Sequence, residues 1–351
     1  MEQRYTVSTS LVLAFLAAIF AVEVYQAATH PIRAPEAYVY DRFVRPTTRQ
    51  VLAQELPNRD VLYTLLEKRS VGLFHVSPFS VRLPSLMFAI LYFRSAWRLA
   101  QRIFGTGWRF LATVTLAGLF SLWWGGFVWA QGQGAALALQ VSAAQLALSV
   151  KPRNLNLAGA CLGLSVAASL DFAMPAAALA LGFLAVDRRW VLWTDRILIP
   201  ATVAALVFLV LPLSHAHAAS EAPPDPAASP ASAIRALRSS AGDHRVRIGA
   251  SPAIEPILNF YRAQHRLTTW DRAERWDRAG QNPAAGDFDY YLLTRADAGL
   301  VDRRHLLVLY RDADFVLAAF SIVEQVGKNV KRWHGGWPAG AMGWIGPFLA
   351  G

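Results

Sequence analysis

Seven apolar runs occupy most of the first 213 residues, at 9–28, 79–97, 107–124, 134–150, 155–170, 174–186 and 197–213. A helix needs about 20 mostly apolar residues to cross a bilayer. The fifth and sixth runs are short for full spans, so the pattern supports six to eight crossings. The first run is too long for a signal-peptide core and has no clear small-residue cleavage site, so it reads as an anchor. Basic residues alternate between the connecting turns. Arg94, Arg98, Arg102 and Arg109 follow the second run, Lys151 and Arg153 the fourth, and Arg188, Arg189 and Arg196 the sixth. The intervening turns, 124–134 and 171–173, hold no Lys or Arg. Basic loops stay on the cytoplasmic side. The N-terminus is then cytoplasmic, and loop 29–78 and everything beyond residue 214 lie outside, in a periplasm-like space. The predicted fold class is mainly α: a polytopic transmembrane helical bundle of about seven helices with a small C-terminal periplasmic α/β domain.

Composition agrees. Of 351 residues, 54% are hydrophobic and 17% charged, against about 45–50% and about 25% in soluble domains. This excludes a disordered chain. The lone Cys161 excludes a disulfide scaffold and a cysteine-based zinc cluster. Nine basic groups in the three cytoplasmic turns account for much of the net charge of +10, so no nucleic-acid partner is implied.

Outside the apolar runs, loop 29–78 is long for a connector. Residues 47–56 and 60–69 show helical spacing of apolar residues, with Thr48 and Asn58 as N-caps, and read as helices lying on the membrane surface. Residues 215–242 are rich in Ala, Pro and Ser and read as a linker. His215 and His217 within it have no third metal ligand nearby. Residues 243–320 alternate strands (245–249, 289–294, 305–310, 315–320) with helices (253–266, 296–303), an α/β pattern. Residues 321–351 form a Gly- and Trp-rich tail.

Several strings resemble the polytopic glycosyltransferases of the GT-C class, which include protein mannosyltransferases and lipid A aminoarabinose transferases. Ser80-Val81-Arg82-Leu83-Pro84-Ser85 looks like that class's Arg-Leu-Pro-Ser signature. It is followed by an apolar helix and a basic Arg102-Ile103-Phe104-Gly105 stop. Pro35-Glu36-Ala37-Tyr38 resembles the class's Asp-Glu-Ala-x-Tyr stretch, and Gly72-Leu73-Phe74 also fits. The resemblance covers roughly residues 5–213. It implies transfer of a sugar from a polyprenyl-phosphate carrier in a bacterial inner membrane. A first-loop acid would be the general base, and a second acid with a divalent metal, or a basic group, would stabilise the departing phosphate.

The chain departs from that pattern where the chemistry lies. The first carboxylate of the Asp-Glu pair is Pro35. The His-Pro-Pro-Leu-Tyr stretch becomes Asn58-Arg59-Asp60-Val61-Leu62-Tyr63. The second acid is Gln133, within Gln131-Gly132-Gln133, and a basic position between helices five and six is Asp171. A glutamine can hydrogen-bond but can neither act as a base nor neutralise a metal. Two readings stay open. In one, Glu36 or Asp41 is the base, Arg33, Arg42 or Arg82 meets the phosphate, and Gln131 and Gln133 bind the head group. In the other, transfer chemistry is lost and the chain is a non-catalytic subunit or scaffold with membrane-protein partners. Arg82 itself, at a helix start, also reads simply as a bond to the first loop.

Overall fold

The computed structural model describes residues 2–46, 60–129, 132–148, 151–186, 194–205, 230–242, 244–277 and 288–319. The chain divides into two compact units, 1–223 and 224–351.

The first unit is helical. Its elements are α1 (Glu2–Thr29), α2 (Ala34–Val39), a π-helical turn (Tyr40–Val44), α3 (Val61–Phe74), α4 (Pro78–Phe104), α5 (Trp108–Trp124), α6 (Gly132–Ala147), α7 (Pro152–Ala168) and α8 (Ala173–Val186). A second π-helical turn, Thr194–Leu198, runs into a short apolar helix, α9 (Arg196–Ala205). One core joins α1, α4 and α5 through Leu16, Ile19, Tyr92, Phe93, Phe110 and Val114. Another joins α6 to α9 through Ala143, Leu155, Leu162, Ala176 and Ile197. Gly159 and Gly163 present one face of α7 to the α9 backbone. A Cβ at either would run into the carbonyl oxygen of Ile197 or Ala201.

The helices fall close to the apolar runs, but the expected polytopic bundle of about seven spanning helices is overturned. Among the described residues a single helix is long and apolar enough to cross a membrane: Ser10–Thr29, with 20 residues and a mean hydropathy of 2.0. At ~1.5 Å per residue that is about 30 Å, one bilayer core. The helices α5 to α8 have 17, 16, 17 and 14 residues, so each falls short of that length. Although α4 has 27 residues, it carries Arg82, Arg94, Arg98 and Arg102, which lower its hydropathy. The apolar runs of α6 and α7 instead supply small residues to a helix–helix core. That core also holds polar groups: Ser142 Oγ lies 2.8 Å from Ser95 Oγ, and Gln140 Nε2 donates to the Phe172 carbonyl at 3.0 Å.

The start of α4 is built from hydroxyls. Ser77 is the N-cap, and its Oγ accepts from the Ser80 N–H at 3.0 Å while Ser80 Oγ accepts from the Ser77 N–H at 3.0 Å. This is a reciprocal capping box with serine in place of the usual glutamate. Pro84, inside the helix, has no N–H to give the Ser80 carbonyl. Ser70 Oγ of α3 donates to that carbonyl instead, at 2.5 Å. Two turns earlier on α3, the Tyr63 hydroxyl donates to the Val81 carbonyl at 3.3 Å and lies 2.9 Å from Ser85 Oγ.

The second unit holds a small mixed sheet of five strands in the order β2-β1-β3-β5-β4. The strands are β1 (Ile248–Ala250), β2 (Glu274–Arg275), β3 (Tyr290–Thr294), β4 (Leu307–Arg311) and β5 (Phe315–Ala319). β1 runs parallel to β2 and β3, while β5 is antiparallel to β3 and β4, with Leu292 opposite Leu317. Among the described residues three helices accompany it: α10 (Ala231–Ala241), α11 (Glu255–Gln264) and α12 (Gly299–Arg303). Part of the stretch read as linker is therefore folded: α10 buries Ala233, Ile234, Leu237 and Ala241. Ser251, at the end of β1, accepts from the Thr294 N–H at 2.9 Å and donates to Asp297, which fastens the β1 and β3 ends together. His215, His217, Thr48, Asn58, residues 47–56 and the tail 321–351 lie outside the described residues.

Ser70→Ala is expected to lower stability by about 1–3 kcal/mol, because it strands the Ser80 carbonyl in a buried site. Thermal unfolding checks this; an unchanged midpoint would show that the carbonyl finds another donor.

Candidate functional site

The first-loop site is assembled around the end of α1. A helix leaves its last carbonyls without intrahelical partners. Here the shortage is sharpened by Pro31, which has no N–H to return to the Ala27 carbonyl. Arg82, on the second turn of α4, fills it. Its Nη1 donates to the carbonyls of Ala27 at 3.1 Å and His30 at 2.8 Å, and its Nη2 donates to that of Pro31 at 2.8 Å. Its Nε and Nη2 then form a two-pronged pair with Glu36, at 2.9 Å to Oε1 and 2.7 Å to Oε2. A guanidinium has five N–H donors, and all five are engaged. Placing a cation against the C-terminal end of α1 is also favoured by the helix dipole.

Glu36 is equally committed. It is the third residue of α2 and accepts from the Arg33 backbone N–H at 2.9 Å. Side-chain exposure is 0% for Arg82 and 1% for Glu36, so neither reaches an open surface. Trp129 closes the site. The Arg33 guanidinium stands 3.8 Å above its ring centroid and that of Arg82 5.3 Å, with the His30 ring edge-on at 5.7 Å. The Trp129 carbonyl accepts from Ser85 Oγ at 3.1 Å, which ties this loop to α4.

The remaining sequence candidates do not gather here. Asp41 is buried in the π-helical turn and pairs with Arg45 at 3.2 Å. Arg42 lies 5.9 Å from the Tyr38 ring. Gln133 donates across 3.5 Å to Asp171. Gln131 lies outside the described residues. Glu23, on α1, accepts a hydrogen bond from Ser121 Oγ at 2.7 Å. Among the described residues, no three His, Cys, Asp or Glu side chains come together as metal ligands.

Sequence reasoning missed Glu67. It sits on α3, fully buried, and among the described residues neither carboxylate oxygen has a hydrogen-bond partner. Burial, and behind it the negative charges of Glu36 and Asp60, push its carboxyl well above the ordinary value. The Tyr63 hydroxyl is likewise pushed up by burial, with Glu67 adding to it, and stays a phenol. The signal was present in the spacing: Tyr63, Thr64, Glu67 and Ser70 form one helical stripe, and this polar stripe is the buried one. Asp60, rather than Asn58, stands at the N-cap position of α3 and accepts from the Gly132 N–H at 3.4 Å. Only glycine fits at that point of α6, since a Cβ there would strike the Ala168 carbonyl oxygen.

Two results are expected. Glu36→Gln leaves the Arg82 charge buried without its partner and should lower stability by about 3–5 kcal/mol. A denaturation midpoint equal to the parent's would show that the pair does not hold the loop. Glu67 has an ordinary value of 4.5 and a raised one when folded, so the folded chain keeps a proton that the unfolded chain releases. Its contribution is fully present below about pH 4.5 and is lost as pH rises toward the folded value. Glu67→Gln should therefore gain stability over the parent progressively from pH 4 to pH 8. Parallel stability curves would contradict this.

Comparisons with known protein families, characterised proteins and solved structures return no match for this chain.

Proposed function

We propose that this chain is a membrane-anchored, non-catalytic subunit or scaffold, resembling a polyprenyl-phosphate-sugar glycosyltransferase in its first-loop strings but without transfer chemistry. One observation carries the reading. The surviving acid of the family-like stretch, Glu36, is locked to Arg82 and to the Arg33 backbone, with 1% of its side chain exposed. A general base must come within hydrogen-bond reach of the proton it takes. Glu36 has its oxygens turned to an arginine fork instead, and Asp41 is paired with Arg45.

The anchor is α1, whose Ser10–Thr29 segment has the length and apolarity for one crossing. Exposed Leu73 and Phe74 at the end of α3 suit a helix end at a membrane surface. The second unit has its own core of Phe288, Tyr291, Leu293 and Val316.

The test uses the full chain in liposomes supplied with a panel of polyprenyl-phosphate-linked sugars and both lipid and peptide acceptors. Release of free polyprenyl phosphate is expected to stay at the level of protein-free vesicles, while the chain remains in the membrane fraction after an alkaline carbonate wash. Release that disappears in Asp41→Asn, with unfolding unchanged, would overturn the reading.

A further inference from the structure

A groove of about 450 Å³ opens between α1 and α4, on a part of the molecule that the first-loop site does not use. Leu16 and Phe93 form its floor, 7% and 8% exposed, and Leu13 and Ile90 form its rim, each 53% exposed. Arg94 and Arg98 also line it. They lie 12 and 16 residues beyond Arg82 on the same helix, which places them about 18–24 Å further along its axis. They are one turn apart, both are exposed, and neither has a hydrogen bond or acidic partner among the described residues. Trp97 lies between them in sequence, lines the groove, and is held edge-on against Phe110 at 4.7 Å.

We infer that this groove holds the acyl chain of an anionic phospholipid, with its phosphate met by Arg94 and Arg98. An apolar trough with positive charge on its lining has the polarity of such an amphiphile. Two guanidinium forks one helical turn apart suit phosphate oxygens, since each can donate a pair of parallel bonds. An indole beside them matches the boundary between hydrocarbon and head groups. The apolar floor gives the tail the contacts that a free phosphate lacks. The inference goes beyond the assembly role and rests only on its membrane anchor.

The test is native mass spectrometry of the detergent-solubilised full chain, titrated with phosphatidylglycerol, phosphatidylcholine or glycerol 3-phosphate. Phosphatidylglycerol should be retained, phosphatidylcholine held more weakly, and the tail-free phosphate not held at all. Each arginine near an anionic head group contributes roughly fivefold to affinity, so Arg94→Gln with Arg98→Gln should weaken retention about thirtyfold. The paired lysine variant should keep most of it. Ala17→Phe fills the groove from an exposed position of α1 and leaves both arginines in place; it too should lose the lipid. Equal retention by all variants, equal retention of phosphatidylcholine, or competition by glycerol 3-phosphate would overturn the site. So would a co-purifying protein that occupies this face with no lipid retained. A chain that washes out of membranes would overturn the anchor. A chain that stays in them yet ignores phosphatidylglycerol would overturn the groove alone.

Discussion

The bidentate bond between Arg82 and Glu36 is the constraint on which the rest of the first unit turns. It joins three things that chain connectivity leaves apart: the raw end of α1, the first turn of α2 and the second turn of α4. With α4 fixed in this way, α5 and α6 have a surface to pack on, and the Trp129 loop is drawn under the two arginines. A buried ion pair holds together well only when its remaining donors and acceptors are met. Here every guanidinium N–H is used, so the charge can be buried without leaving an orphaned donor.

Around this pair, polar groups are spent on backbone repair rather than left facing a cleft. Ser70 replaces the hydrogen bond that Pro84 removes, Ser80 and Ser77 cap each other, and Ser85 fastens the Trp129 loop. Glu67 is the exception. Its unmet oxygens, beside Glu36 and Asp60, put an uncompensated carboxyl at the back of the same assembly. The arrangement is one of a rigid frame, and the proposed assembly role rests on it.

How much of this could be read from the sequence depended on whether the controlling interaction was local. Most helix positions in the first unit followed from the apolar runs, though α2 did not, and β3, β4 and β5 followed from the strand pattern of the second. The number of membrane crossings did not follow. Apolar residues that face other helices, such as Ala143 and Leu162, look the same in sequence as those that face lipid. The inward stripe of α3 was present only as a spacing, because Glu67 and Ser70 are residue types that normally point to water. At the candidate site, the Arg-Leu-Pro-Ser string marked Arg82 and the family-like stretch marked Glu36, but their pairing and burial join residues 46 apart and were not read. Glycines 132, 159 and 163 read only as turn or packing residues until the backbones they admit are seen.

Pro31 carries a consequence for the order in which the chain is made. Because it cannot close the last turn of α1, the Ala27 carbonyl finds its donor 55 residues later, on Arg82. During synthesis the first helix therefore emerges with an open end and stays so until α4 has left the ribosome. Bonds between such distant residues form only after the intervening loop has closed, which slows the step that depends on them. Completion of the first helix is thus a report that the fourth has arrived, and a chain truncated before residue 82 would carry an N-terminal segment whose end never becomes native.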